Sequence, residues 1–195
     1  VIDEDTYSQL TGAERATYRK ILNSGNIDKF TIKGPAEFIS DTVTTQNQWH
    51  SFAGRKLVIA GLARQVEAAV DGEGCALGRV YYIREHDVAY DLGYLCAILN
   101  SKLMDFCYRV MYWPVHLQGG YYRFNSTYLA RLPIPAEDEN REPAAKIKNQ
   151  AAEMLRHGQV GRRLSEQLDR LVFQLYKLSE KQIAVINNFL HNNSN

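Results

Sequence analysis

The spacing of apolar and polar positions divides the chain into a mostly β middle and a helical end. Residues 13–22 (Ala-Glu-Arg-Ala-Thr-Tyr-Arg-Lys-Ile-Leu) carry a helical pattern that stops at Asn23-Ser24-Gly25-Asn26. Short strand-like runs follow at residues 30–33 and 37–40, joined by a Gly34-Pro35 turn. After the polar stretch Gln46-Asn47-Gln48-Trp49-His50, the run Lys56-Leu57-Val58-Ile59-Ala60 reads as a buried strand. Residues 65–70 alternate apolar and polar side chains, Asp71-Gly72-Glu73-Gly74 marks a turn, and Val80-Tyr81-Tyr82-Ile83 is predicted as the return strand of a hairpin.

A change of period then signals a helix. Asp91 is a plausible N-cap, and Leu92, Leu95, Leu99, Leu103, Phe106 and Val110 recur at steps of three and four, which places them on one face. Lys102, Asp105 and Arg109 fall off that face and are expected to meet water. Trp113-Pro114 ends the helix, because proline disfavours helical geometry in the residue before it. A loop through Gly119-Gly120 leads to Tyr121-Tyr122-Arg123-Phe124, and the block closes at Leu132-Pro133-Ile134-Pro135. Beyond it, three helical patterns carry Ile147, Ala151 and Leu155, then Leu164, Leu168, Leu171 and Leu175, then Ile183, Ile186 and Leu190, with breaks at His157-Gly158 and Gly161. Ser179 and Gln182 have the spacing of a capping box. The fold class predicted is α+β: a small mixed or antiparallel sheet, a packed leucine-rich helix and a C-terminal helical extension. The segments expected are an opening helix and linker from an upstream domain over residues 1–29, an α+β domain over 30–135, and a helical spacer or docking segment over 136–195.

Composition narrows the function classes. The chain has 195 residues, 45% of them hydrophobic, with 23 Lys plus Arg against 22 Asp plus Glu. A chain of this size buries roughly 70% of the surface that it would expose unfolded, so it needs no metal or disulfide to hold a core. No uncharged run approaches the roughly 20 apolar residues of a membrane span. A start at Val1-Ile2-Asp3 without Met or a signal segment reads as a piece of something longer. Cys75, Cys96 and Cys107 form no pair of zinc spacing and the histidines are scattered, so reduced thiols, no metal and a cytoplasmic location are expected.

The near-neutral charge hides a local bias. From Lys102 to Arg131 there are four basic residues and one acid, interleaved with eight aromatics: Phe106, Tyr108, Tyr112, Trp113, Tyr121, Tyr122, Phe124 and Tyr128. Such a stretch can supply phosphate contacts, base-edge hydrogen bonds and stacking surfaces, or it can be core, since aromatic rings bury well. Catalytic signatures are lacking: Gly72, Gly74 and Gly78 fall in the predicted hairpin rather than between a strand and a phosphate-binding helix, and no G-x-S-x-G, H-E-x-x-H or Asn-Pro-Pro-aromatic sequence occurs. Catalysis by this sequence alone is not expected.

The run from Tyr90 to Leu103, then Gly119-Gly120-Tyr121-Tyr122-Arg123-Phe124-Asn125, Tyr128-Leu129 and Leu132-Pro133-Ile134-Pro135, in that order, resembles the C-terminal target-recognition (specificity) domain of TaqI-like and type IIG restriction-modification methyltransferases. The methyltransferases of BREX phage-defence systems carry a similar domain. The resemblance extends upstream to residues 22–30, where Asn26 replaces the Arg usual in the family, and downstream to residues 168–180. It implies sequence-specific recognition of double-stranded DNA. It also implies a methyltransferase domain in the same polypeptide, with S-adenosylmethionine and adenine-N6 chemistry located there, and an endonuclease often attached. No cofactor is expected in this sequence.

Base-edge candidates are Gln46, Gln48, Trp49 and His50 in the polar loop and Trp113, His116 and Gln118 at the tip after the leucine helix, since Gln can pair with adenine. Phosphate candidates are Lys33, Lys56, Arg64, Arg109 and Arg123. Structural roles stay open beside these: Arg123 as a pin for the Gly-Gly turn, Trp113 as a helix cap, Lys56 as an edge charge, and Tyr121, Tyr122 and Phe124 as core. The competing function is a protein-docking module that uses the leucine helix and the C-terminal helices, with no DNA contact.

Overall fold

A computed structural model of the chain describes residues 1–34, 37–43, 52–72, 74–76, 78, 80–112, 116–117, 119–158 and 161–193, with Cys75, Ala76 and His116 described through their main chain. The strands are β1 (Ile2–Asp3), β2 (Tyr18–Leu22), β3 (Ile27–Asp28), β4 (Thr31–Ile32), β5 (Glu37–Ser40), β6 (Lys56–Ala60), β7 (Leu62–Ala63), β8 (Ala68–Asp71), β9 (Cys75–Ala76), β10 (Val80–Arg84), β11 (His116–Leu117) and β12 (Tyr121–Arg123). The helices are α1 (Glu4–Gln9), α2 (Gly12–Arg15), α3 (Leu92–Leu99), α4 (Lys102–Met111), α5 (Ser126–Leu129), α6 (Arg141–His157), α7 (Arg162–Leu175) and α8 (Glu180–Asn192). Small sheets packed against helices make this an α+β fold, as the periodicities predict.

The helix expected over residues 13–22 is largely replaced. Thr11 and Glu14 form a capping box on the single turn of α2, and the chain then enters β2, paired antiparallel with β5 and parallel with β9. Burial of Ile21 and Leu22 against the core outweighs the helical preference of the Ala-Glu-Arg stretch. The two strands expected around the Gly34-Pro35 turn exist but do not pair with each other: β4 pairs with β3, and β5 lies between β1 and β2.

β6 is the centre of the molecule, buried at every position, with β8 and β10 antiparallel on its two sides. The hairpin expected over residues 65–84 is therefore corrected. Its strands are present, but each pairs with β6 and not with the other, because an apolar strand buried on both faces also needs both hydrogen-bonding edges filled. The one charge in β6, Lys56, is 0% exposed; its ammonium donates to Asp71 Oδ2 at 2.6 Å and to the carbonyl of Gly74.

The leucine helix is two helices. Asp91 caps α3, accepting the Tyr94 N–H at 2.9 Å, and every residue of α3 is buried. Asn100 then donates to the Ala68 carbonyl at 2.8 Å and accepts the Ala68 N–H at 3.0 Å, clamping the helix end to β8. Ser101 is extended (ψ 156) and caps α4, accepting the Met104 N–H at 3.3 Å. This break resets the seven-residue phase. Asp105 and Arg109, expected to face water, are buried as a result.

The C-terminal helices share the same core. α6 buries Ala144, Ile147, Ala151 and Met154 and ends at Gly158, whose φ of 63° suits a residue without a side chain. Asp169 of α7 accepts the Lys102 N–H at 2.8 Å, placing an acid at the N-terminus of α4. α8 starts with the expected Ser179–Gln182 capping box and meets α4 through an edge contact of Phe106 with Phe189 at 5.2 Å.

The Lys56–Asp71 pair makes the first prediction. Asp71→Ala strands a buried ammonium and should cost about 3–5 kcal/mol, whereas Lys56→Met with Asp71→Leu should be close to neutral. Urea unfolding of both variants checks this, and a loss under about 1 kcal/mol for Asp71→Ala contradicts a buried pair.

Candidate nucleic-acid interface

The small sheet β7–β12–β11 turns one face inward and one outward. Along β12, Tyr122 is buried, while Tyr121 and Arg123 are exposed, as the two-residue period of a strand requires. Tyr122 and Phe124 pack with Tyr108 of α4 at ring separations of 6.2 and 4.5 Å, and the Tyr108 hydroxyl donates to the Arg123 carbonyl at 3.0 Å. Of the aromatics left open between core and surface, Tyr122 and Phe124 are core. Tyr121 is 40% exposed and Leu117, its partner on β11, is 38% exposed.

Arg109 ties this sheet to everything around it. Its guanidinium donates to Asp105 at 3.0 Å, to the Asn193 carbonyl at 2.8 Å and to the Arg64 carbonyl at 2.8 Å. It also lies over the Tyr122 ring at 5.2 Å. Burial pushes the Asp105 carboxyl upward and the Arg109 hydrogen bond opposes that shift. Arg109 is thus a buried structural cation, which corrects its expected role at phosphate. Lys56 is corrected for the same reason: with its ammonium enclosed by Asp71 and Gly74, no phosphate can reach it.

Three phosphate candidates remain at the surface: Lys33, Arg64 and Arg123. The register pairs Tyr122 with Ala63, so Arg64 follows beside Tyr121 and lies over its ring at 5.3 Å. Arg64, Tyr121 and Lys33 line one cleft of about 360 Å³, with Asp28, Gln65 and Glu67. Lys33 is ion-paired to Asp28, and that hydrogen bond holds the lysine above its ordinary range. Burial pushes Asp28 up, but the hydrogen bonds from the Lys33 side chain and the Lys29 N–H, with the charges of both lysines, together outweigh it and hold the carboxyl below its usual range. Glu67 goes the other way, pushed up to about 7 by burial and then by Asp28, with Lys29, the Gln65 side chain and Lys33 opposing.

The sequence leaves Tyr121 open between stacking surface and core, and the structure exposes it, whereas Gln65 and Glu67 were not among the candidates. Only the register of β7 with β12 brings residues 57 positions apart in the chain, Arg64 and Tyr121, into contact. The base-edge candidates Gln46, Gln48, Trp49, His50, Trp113 and Gln118, and the side chain of His116, lie outside the described residues. Among the described residues, no group of His, Cys, Asp or Glu is arranged to hold a metal, and no helix is long and apolar enough to cross a membrane. Gly74, one of the clustered glycines, packs against the side chains of Asp71 and Leu22, and a side chain there would meet both at 3.2 Å. It therefore belongs to the Lys56–Asp71 corner.

The described residues form an α+β domain with a surface cleft in which Arg64 lies over the ring of Tyr121. Residues 19–134, which include every strand of the cleft, match the TaqI-like C-terminal specificity domain, and the chain belongs to that family. Its role is therefore DNA target recognition in restriction-modification. No curated protein matches the chain significantly. The docking alternative, which uses the leucine helix and the C-terminal helices, is not favoured by this family and loses the first part of that helix, since every residue of α3 is buried.

The Glu67 shift predicts a pH effect on stability. The unfolded chain loses this proton near 4.5 and the folded chain near 7, so stability falls as pH rises across that window and stays lowered above it. Glu67→Gln should therefore raise Tm at about pH 8 and change it little below about pH 4.5; equal effects at both pH values would contradict the shift.

Proposed function

We propose that the chain is the sequence-specific double-stranded-DNA recognition domain of a restriction-modification adenine-N6 DNA methyltransferase and catalyses no step itself. The observation that carries this reading is the cleft in which Arg64 stacks on exposed Tyr121 and Lys33 stands opposite, on a chain of the TaqI-like specificity family. The methyltransferase domain of the same polypeptide binds S-adenosylmethionine and performs the transfer. The parent is of type IIG or BREX type, with an endonuclease fused in the former case, and works in phage defence in a bacterial cytoplasm.

Mechanistically, the domain holds the duplex while the partner domain takes a base out of the stack. Unpairing and unstacking cost a few kcal/mol, which protein–DNA contacts must offset. Lys33, Arg64 and Arg123 supply phosphate contacts that set register, and base-edge contacts choose the sequence. Gln46, Gln48, Trp49 and His50, with Trp113, His116 and Gln118, are proposed for that second role.

Fluorescence anisotropy with a random-sequence duplex pool, at about 50 and 200 mM salt, tests the reading. Binding should weaken by an order of magnitude or more across that range. Replacing Lys33, Arg64 and Arg123 together by Ala should flatten the slope of log K against log salt by about 2–3, near 0.9 for each phosphate that is no longer neutralised. Binding that ignores salt, or an unchanged slope in the triple variant, contradicts it.

A further inference from the structure

The turn between β7 and β8 is pinned to the core at both ends. At its start Arg109 holds the Arg64 carbonyl at 2.8 Å. In its middle Val66 is 1% exposed. At its end the Glu67 carbonyl accepts the Ala60 N–H at 3.0 Å and Asn100 brackets Ala68. Between these anchors the turn lines the DNA-facing cleft with three different side chains: a guanidinium, an amide and a carboxyl, from Arg64, Gln65 and Glu67. These are side-chain types that discriminate bases in the major groove, where Gln matches adenine and a carboxylate accepts from an exocyclic amino group. A rigid main chain beneath them means that little freedom is lost when a base edge is engaged.

A carboxylate is out of place in a cleft used only to grip phosphate. Facing Glu67 are Asp28, Lys29 and Lys33 from the β3–β4 hairpin, Arg64 and Gln65 from its own turn, and Tyr121 from β12. The two acids repel phosphate and offset the cations, so Glu67 lowers non-specific attraction. The Gln65 side chain already donates to it, and its remaining acceptor sites gain a use where a further hydrogen-bond donor is presented. Partial burial strengthens that use by removing competing water.

Resting on the DNA reading above, we propose that Gln65 and Glu67 are specificity-determining residues of this domain, with Glu67 accepting a hydrogen bond from an exocyclic amino group of adenine or cytosine. Only the ionised carboxyl is a pure acceptor. Because Glu67 gains its proton near 7, the preference carries a pH signature of its own.

The test starts by selecting preferred duplexes from a randomised pool with the unmodified chain. Each selected position is then changed singly, and affinities are measured for the chain and for Glu67→Gln and Gln65→Ala, with thermal unfolding to verify that both variants fold. The unmodified chain should discriminate about tenfold at one or more positions bearing an adenine or cytosine amino group, more sharply at about pH 8 than at about pH 6. Glu67→Gln should flatten that preference and its pH dependence, and Gln65→Ala should weaken it. Selective binding with an unchanged preference and pH profile in both variants overturns this assignment while leaving the DNA reading standing. Absence of DNA binding by the unmodified chain overturns both.

Discussion

The guanidinium of Arg109 holds together four parts of the chain that are remote in sequence. It pairs with Asp105 on its own helix, bonds the carbonyls of Asn193 and Arg64, and lies against the ring of Tyr122. A planar group with five donors can satisfy such a set, where a lysine would offer a point charge on a flexible stem. Taking this charge out of water is costly, and the hydrogen bonds and the carboxylate compensate for it only while all of them are present. The end of α8, the β7–β8 turn and the β12 sheet therefore all meet at one side chain.

That arrangement explains how a chain with almost no net charge can present an exposed cationic and aromatic face, the one proposed for DNA. The inward side chains of β12 and α4, Tyr122, Phe124 and Tyr108, build the core beneath the sheet. The alternate residues of β12, Tyr121 and Arg123, face outward by the geometry of the strand. Arg109 stays inside yet fixes the main chain at Arg64, whose side chain stacks on Tyr121 at the surface. One buried arginine thus positions one exposed arginine.

Much of this was legible in the sequence where a local pattern sufficed. The buried strand at residues 56–60, the caps at Asp91 and Ser179 and the helix stop at Gly158 follow from short-range chemistry. What failed depended on distant partners. Residues 18–22 became a strand because β5 and β9 were available to pair with them. Lys56 and Arg109 read as surface cations because, beside Asp71 and Asp105, their partners are main-chain groups that no side-chain pattern announces, the Gly74 carbonyl for one and the Asn193 and Arg64 carbonyls for the other. The break at Asn100-Ser101 was concealed inside an unbroken leucine repeat, and it alone carried Asp105 and Arg109 from the expected wet face to the interior. The cleft was illegible for a similar reason, since Lys33, the β7–β8 turn and Tyr121 meet only through sheet register.

The central claim is that DNA lies on the face formed by Lys33, Arg64, Gln65, Glu67, Tyr121 and Arg123. Amide and side-chain NMR shift mapping of the chain, titrated with a duplex that it binds, tests this most directly. The account predicts that the largest changes fall on these six residues and their strand neighbours, with α7 and α8 nearly silent. Changes concentrated along the α7–α8 groove around Phe173 and Ile183, with the cleft undisturbed, would contradict it.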